Sequence, residues 1–223
     1  MEDKKKKLGN DWWRLFKKRH PELTFKKGEK TDPKRLNISL EAISTYFENL
    51  KKIKSEYNIP NTRILNADET GVPLSPDSNS KTIGIRGKSL YIRGKETREQ
   101  ITTLVTISSG GDLFTPLFIY RGKTFPLEQA EQLPPNVMIS AAPKGFITGD
   151  LFAQWIAHIV EEAKVTIQNP AILIVDAHQS RMNLDALETA KKSGLHIVVL
   201  PGGSTSFLQP LDKAIFKVFK QRV

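Results

Sequence analysis

The stretch that most restricts how this chain can fold is AILIVDAH, residues 171–178. Five consecutive apolar residues bounded by polar ones are typical of a strand buried on both faces, as in a parallel sheet. The strand leads directly into Asp176, and His178 follows two residues later. An aspartate in such a place is most often a cap of the next element. Functional groups also gather at the carboxyl ends of strands in open α/β sheets, so chemistry is the alternative.

Helices and apolar strands alternate around this stretch. TGDLFAQWIAHIVEEAKV precedes it and NLDALETAKKSG follows it, and both have helical periodicity. Thr148 or Asp150 is expected to cap the first helix, and Gly194 to end the second. LHIVVLP is a second buried strand, and a last helix is expected from about Leu211. This order predicts parallel strands covered by helices on both faces.

Residues 62–122 have a different pattern, with short β-rich runs separated by Gly and Pro. RILNADET, SLYIRG and ITTLVTISSGGDLFTPLFIYRG are interpreted as strands of an antiparallel meander, the last two strands being joined by a Gly-Gly hairpin. Residues 127–146 are expected to be irregular because of their prolines. The predicted fold is therefore α/β, a mixed sheet of about five strands flanked by helices.

Two helical patterns precede the sheet. Residues 39–57 predict an amphipathic helix with Ser39 as N-cap, which packs on the following domain. Its apolar face is expected to contain Leu40, Ile43, Phe47, Leu50, Ile53 and Tyr57. In the other pattern, DWWRLFKKRHPELTF, basic residues lie among aromatic ones, which suits either phosphate contacts or a small helical core with a solvated face; the pattern alone favours the core. The basic residues are Arg14, Lys17, Lys18 and Arg19.

Charge and composition narrow the class of partner. The net charge is +10, and residues 1–60 contain 16 Lys and Arg against 9 Asp and Glu, whereas the remainder, with 18 against 15, is nearly neutral. A basic front favours a polyanion such as nucleic acid over a merely solvated tail. The run Lys4–Lys7 can act as a nuclear address. The absence of cysteine excludes disulfides and thiolate metal sites. No apolar run is long enough to predict a membrane span, and the N-terminus lacks the apolar stretch of a signal peptide.

Three aspartates occupy similar positions in the predicted topology. Asp68 follows the first strand, Asp176 follows AILIV, and Asp212 begins the last helix. Each alone is more often a cap than a ligand. If they converge, their carboxylates repel one another unless a cation is present. Mg²⁺ prefers oxygen ligands, and a pair of such ions can activate water and stabilise the leaving oxygen of a phosphodiester.

These segments resemble a known family. ILNADETG, LVTISSGGDLFTPLFIYRGK, FITGDLFAQWI, ILIVDAHQSRMN and VVLPGGSTSFLQPLDKAIFKVFK follow one another as in the DDE-type transposase/endonuclease domain of the pogo, Tigger and Jerky lineage, within the mariner-like superfamily. The resemblance covers roughly residues 62–223, and 35 residues separate Asp176 from Asp212, as in similar catalytic cores. DWWRLFKKRHPEL resembles the end of the helix-turn-helix domain shared with centromere protein B.

The resemblance implies an RNase H-like fold and a metal-dependent endonuclease that cuts and joins phosphodiester bonds. By position, Asp68, Asp176 and Asp212 are the implied catalytic and metal-binding residues, with two Mg²⁺ or Mn²⁺ ions. Glu69 matches the DET motif as a neighbour. The implied partner is double-stranded DNA, with a possible homodimer, a nuclear location, and neither a membrane nor a small-molecule cofactor.

The expected domains are residues 1–30, the end of a helix-turn-helix domain; 31–61, a linker helix; and 62–223, a catalytic domain expected to be truncated at its C-terminus. One position departs from relatives that read DGHxSH or DNAxSH, because Arg181 replaces the second histidine. His178 is interpreted as placing water or phosphate, or as bonding the backbone. Arg181 is interpreted as binding phosphate, or as a sign of relaxed constraint. The alternative function is a domesticated or decayed derivative that binds DNA or chromatin without cutting. A generic α/β hydrolase is rejected, because this chain lacks the G-x-S-x-G motif of the nucleophile elbow.

Overall fold

The computed structural model describes residues 10–23, 39–73, 100–125 and 136–220. The chain divides into two compact units, Met1–Pro33 and Lys34–Val223. In the first unit, helix α1 (Asn10–Arg19) is held by stacked rings, with the Phe16 ring 5.1 Å from that of Trp12 and 5.4 Å from that of Trp13. The aromatic side chains therefore pack mainly on one another along this helix.

The second unit contains a six-stranded mixed sheet in the order β4-β3-β2-β1-β5-β6. The strands are β1 (Ile64–Pro73), β2 (Gln100–Ser108), β3 (Leu117–Arg121), β4 (Met138–Ala142), β5 (Ala171–Val175) and β6 (Leu195–Val199). Pairing is antiparallel from β1 through β2 to β3 and parallel for β3–β4, β1–β5 and β5–β6. The predicted α/β fold and its antiparallel meander are thus confirmed.

Helices cover the sheet and begin where the caps predict. They are α2 (Leu40–Glu56), α3 (Gly149–Glu162), α4 (Leu184–Ser193), α5 (Thr205–Leu208) and α6 (Phe216–Lys220). The hydroxyl of Ser39 accepts a hydrogen bond from Ala42 N at 3.4 Å, and that of Thr148, rather than Asp150, caps α3 by accepting one from Leu151 N at 3.3 Å. Gly194 ends α4 at φ +81°, and a Cβ there would meet the carbonyl oxygen of Thr166 at 2.7 Å.

Three strand predictions differ from the structure or fall outside the described residues. β1 continues beyond Glu69 to Pro73 because β2 pairs with it along that whole length, as far as the pair Pro73–Gln100. The prediction that 127–146 is irregular is wrong at Met138–Ala142, which forms β4 by parallel pairing with β3. The strand predicted at SLYIRG lies outside the described residues.

The sheet carries a hydrophobic core on each face. One core joins alternate residues such as Leu65, Ala67 and Leu173 to helices α3 and α4. The other joins Ile172 and Ile174 to residues of α2 and β6. This alternation follows from the period of two in a strand, and it assigns each residue of β1 to a definite face.

Helix α2 packs on this second core with a different face from the predicted one. Tyr46 is buried, and Leu50 and Ile53 pack beside it. Leu40 and Phe47, which were predicted to face the core, are 83% and 49% exposed. The prediction was wrong here because an amphipathic pattern alone leaves the rotation of a helix undecided by about one residue. No helix in the described ranges is long and apolar enough to cross a membrane.

Candidate active site

Parallel pairing of β1 with β5 brings two of the three aspartates to the same level. The pairs Ile64–Ile172, Leu65–Leu173 and Asn66–Ile174 share an offset of 108 positions, and the same offset separates Asp68 from Asp176. Asp176 follows the last residue of β5, whereas Asp68 lies within β1. The offset therefore brings Asp68 and Asp176 to the same level on neighbouring strands. The prediction that Asp68 follows the first strand is wrong, because β1 continues to Pro73.

A buried polar network fixes the chain around the third aspartate. The Asn66 amide nitrogen donates to Gln209 Oε1 at 2.6 Å, and the Gln209 amide nitrogen donates to the carbonyl oxygen of Ala67 at 3.3 Å. Leu211 N donates to Asn66 Oδ1 at 3.3 Å. Gln209 is fully buried. These bonds hold the segment that carries Asp212, which lies in a π-helical turn (Leu211–Ile215), against β1.

Asp68 is buried and lies within range of the charges of the other two aspartates. The pKa of Asp68 is raised to about 7, mainly because burial disfavours its charge and because the negative charge of Asp212 opposes it. The charge of Asp176 adds a smaller increase, and hydrogen bonds from Gln209 and the Glu69 backbone lower the pKa in part. Asp68 is 7% exposed, so its carboxylate has little access to water.

Glu69, the next residue of β1, has a different environment. Its Oε1 lies 2.8 Å from Nη2 of Arg181, and the same nitrogen lies 3.3 Å from Oδ1 of Asp176. The Arg181 side chain is 2% exposed, and its guanidinium stacks over the Phe152 ring at 4.8 Å. Its charge is therefore directed at two carboxylates within the protein, and the phosphate-binding interpretation does not describe this conformation.

His178 belongs to the same loop and is tied to its own turn. Its Nδ1 lies 2.9 Å from the Ser180 hydroxyl, which also accepts a hydrogen bond from Arg181 Nη1 at 3.0 Å. Arginine is always the donor, so the single proton of Ser180 is free to bond His178 Nδ1. That arrangement assigns the ring proton to Nε2. Ser180 N also donates to His178 Nδ1 at 3.4 Å, so the ring bonds the backbone of its own turn. The suggested role of His178 in placing water or phosphate stays a prediction.

The donor set suits a hard divalent cation. Asp68, Asp176 and Asp212 offer oxygen ligands only, and the pKa of Asp68 is raised first by burial and then by the negative charge of Asp212. Among the residues that the structure describes, no three Asp, Glu or His side chains are close enough together to hold one ion. The type of donor atom and the charge therefore fit a divalent cation, whereas the spacing of the three carboxylates in this structure does not gather them around one ion.

Sequence reasoning missed the residues that support the acids. Asn66 and Gln209 were not singled out, and the Glu69–Arg181 pair was not foreseen. The available signal was a polar residue among apolar ones shortly before each acid, Asn66 two positions before Asp68 and Gln209 three before Asp212. Arg14, Lys17, Lys18 and Arg19 lie on α1 in the first unit, where Arg14 pairs with Asp11 at 3.3 Å.

Fold, site and sequence comparison together define the class. Residues 98–223 match the family described as DDE superfamily endonuclease, which is more than half of the chain. The chain belongs to this family.

The chain is also similar in sequence to particular proteins. It is 23% identical over 186 residues to the mouse protein named pogo transposable element with KRAB domain, a match that covers 82% of this chain and 30% of that protein. It is 24% identical over 179 residues to a Cochliobolus lunatus protein named MFS-type transporter clz9, covering 78% of this chain and 19% of that protein. The chain thus spans less than a third of either relative.

Solved structures show the same RNase H-like fold. The mariner Mos1 paired-end complex with Mg matches with a TM-score of 0.58 at 13% identity, covering 94% of this chain and 56% of that one. The corresponding complex with Mn gives a TM-score of 0.57 at 12% identity, with the same coverage. The resemblance to a pogo- and mariner-like transposase domain is confirmed.

Proposed function

We propose that this chain is the catalytic part of a metal-dependent DNA endonuclease or transposase that cuts and joins phosphodiester bonds. The observation that carries the proposal is the position of Asp68 and Asp176 at one level of the paired strands β1 and β5, where burial and the charges of Asp212 and Asp176 raise the pKa of Asp68. Membership of the endonuclease family and the fold shared with Mos1 support it. The names of the Mos1 complexes include Mg and Mn, which supports the same ions here.

The three aspartates would hold two Mg²⁺ or Mn²⁺ ions. Such ions supply a nucleophile at neutral pH and stabilise the charge on the leaving oxygen. The protein contributes rigidity, because Asp176 follows a fully buried strand and Asp68 lies within a paired one. The network of Asn66 and Gln209 holds the turn of Asp212 in place. Little else is required of the side chains, since phosphoryl transfer depends mainly on position and charge.

The DNA partner is supported by a second observation. Helix α1 carries Arg14, Lys18 and Arg19 as exposed cations, with three basic residues in its last turn. We include in the proposal that this helix is the end of a helix-turn-helix domain that contacts phosphates, including through Lys17, and that the protein acts in the nucleus. The names of the Mos1 complexes describe paired transposon ends, and a homodimer of this chain is proposed on that analogy.

The decisive experiment is a nicking assay on supercoiled DNA with Mg²⁺ or Mn²⁺. Asp176→Asn should abolish nicking, and Asp185→Asn, an exposed acid in the first turn of α4, should nick like the wild type. Equal nicking by the wild type and Asp176→Asn would remove the proposed role of Asp176. The control matters because both substitutions remove one carboxylate from the segment between β5 and β6.

A second candidate function is a derivative that binds DNA without cutting it. The observation in its favour is Arg181, whose guanidinium pairs with Asp176. Its signature would be retarded DNA in a gel shift at about physiological salt, with no nicked product in either metal. Nicking that depends on Asp176 excludes this candidate.

A further inference from the structure

Arg181 is a buried cation beside two carboxylates of the candidate site. Its side chain is 2% exposed, and it makes hydrogen bonds to Glu69, Asp176 and Ser180. Burying a guanidinium is costly unless several partners compensate it. The structure supplies partners for Nη1 and Nη2, whereas Nε is buried without one, so the site holds the guanidinium through its two terminal nitrogens.

Glu69 and Asp68 are adjacent in β1, and their side chains lie on opposite faces of the sheet. Strand alternation puts Glu69 on the face of Ala67, where α3 packs and where Phe152 lies beneath the guanidinium. Asp68 faces the other way. Arg181 therefore approaches Asp176 from the α3 face, opposite to Asp68.

The contact with Asp176 involves one carboxylate oxygen. Nη2 of Arg181 lies 2.8 Å from Glu69 and 3.3 Å from Oδ1 of Asp176. The shorter bond anchors the guanidinium to Glu69, and the longer one holds Asp176 by Oδ1 alone. The second oxygen of Asp176 has no bond to Arg181.

We propose that Arg181 is a positioning residue for Asp176, which it holds by one oxygen so that the other is presented to a divalent cation. The inference rests on the proposed function, because it assigns Asp176 as a ligand. Glu69 neutralises Arg181, so the pair orients the ligand while adding almost no net charge to the site. Partners that bind the ligands of a metal in this way typically change its affinity by about 10–100-fold when they are removed.

The test is Mn²⁺ binding to the full chain, measured by electron paramagnetic resonance of free Mn²⁺ and by calorimetry. The informative protein is the double variant Arg181→Met with Glu69→Gln. It removes one positive and one negative charge, so the net charge of the site is unchanged and only the orientation of Asp176 is lost. We expect Mn²⁺ to bind at least about 10-fold more weakly than in the wild type.

The matched control is Arg63→Met. Arg63 is another partly buried arginine, bonded to the carbonyl oxygens of Pro170, Ala163 and Asn169 at the start of β1. Its loss should lower stability without changing Mn²⁺ affinity. Unchanged or tighter Mn²⁺ binding by the double variant would overturn the positioning role.

The failure of the proposed function has a different signature. If Asp176→Asn binds Mn²⁺ as the wild type does, Asp176 is not a ligand and both proposals fall. If Asp176→Asn loses binding while the double variant keeps it, only the positioning role fails. Should circular dichroism show that the double variant is unfolded, Arg181→Lys decides, since it keeps the charge and loses the planar fork; wild-type affinity in that variant refutes the proposal.

Discussion

Asp68 and Glu69 are consecutive residues of one strand, yet their carboxylates lie in opposite electrostatic environments. Glu69 is paired with a buried arginine at 2.8 Å. Asp68 takes part in none of the ion pairs found in the described part of the chain, and burial together with the charges of Asp212 and Asp176 raises its pKa to about 7. The difference arises because the side chains of a strand alternate between its two faces. One face thus holds a compensated ion pair, and the other accumulates negative charge.

The largest effect is expected from breaking the compensated side. Arg181→Met leaves Glu69 and Asp176 without their cation, and removal of one partner of a buried pair costs about 3–5 kcal/mol. The free energy of unfolding, measured in urea with EDTA present, should fall toward the lower end of that range because the two acids are 20% and 29% exposed. A change below about 1 kcal/mol would show that Arg181 is not the stabilising cation of this region.

Removal of the charge of Asp68 is expected to raise stability, whereas removal of Arg181 lowers it. The native pKa of Asp68 is about 7, against about 4 in the unfolded chain, so the native state binds more protons between these values. Metal-free stability should therefore fall as pH rises from 4 to 7 and stay level above 7. Asp68→Asn should remove this slope and raise stability at pH 8 by up to roughly 4 kcal/mol.

Thermal unfolding in EDTA across pH 4 to 8 measures that effect, with Asp185→Asn as the exposed control. An Asp68→Asn protein that is less stable than the wild type at pH 8 would contradict the assigned environment. A saturating divalent cation should reverse the order, since it stabilises the charged wild type alone.

A smaller effect is expected from the network that links the two halves of the site. Gln209→Leu leaves Asn66 and the Ala67 carbonyl without their partner, and such a loss costs about 1–3 kcal/mol. It also removes the hydrogen bond from Gln209 to Asp68, so the pKa of Asp68 should rise further. Carboxyl titration by NMR measures this shift, and an unchanged pKa would show that Gln209 does not act on Asp68.

The smallest effect is expected when both members of the ion pair are replaced together. Arg181→Met with Glu69→Gln removes the cation and one of its acids, and replacement of a whole buried pair is often nearly neutral. Its metal-free stability should lie within roughly 1–2 kcal/mol of the wild type. A loss as large as that of Arg181→Met alone would mean that Asp176, rather than Glu69, is the main partner.

Individual elements show how far sequence reasoning reached. AILIV and LHIVVLP were predicted as buried strands and are β5 and β6, because a continuous apolar run of that length has few other stable placements. Only β5 is buried throughout, since β6 lies at the edge of the sheet and Val199 is exposed. The cap at Ser39 and the left-handed Gly194 were also predicted from local chemistry. Strand β4 was missed, since its hydrogen-bond partner is β3 and the run itself is short and next to prolines. Phe47 was predicted to face the core and is exposed, because the periodic pattern of a helix does not fix its rotation against its neighbours.

Some residues of the site were also found from the sequence, whereas the contacts between them were not. Asp68, Asp176 and Asp212 were selected by their positions after strands and at a helix start, and the pairing of β1 with β5 brings the first two to one level. The ligand role assigned to them stays a prediction. Arg181 could be recognised as unusual only by its departure from similar sequences. Its pairing with Glu69 spans 112 positions of the chain, and no local pattern reports a contact of that kind.

The sequence by itself determined the buried strands, the helices between them, the caps and the identity of the three acids, because each depends on residues near one another in the chain. Tertiary structure alone decided which acid is compensated. Strand alternation, the offset of β1 against β5 and the crossing of the Gln209 segment place Glu69 beside a cation and Asp68 beside like charges. Charge interactions depend on distance in space, and that distance is set only when the sheet has formed.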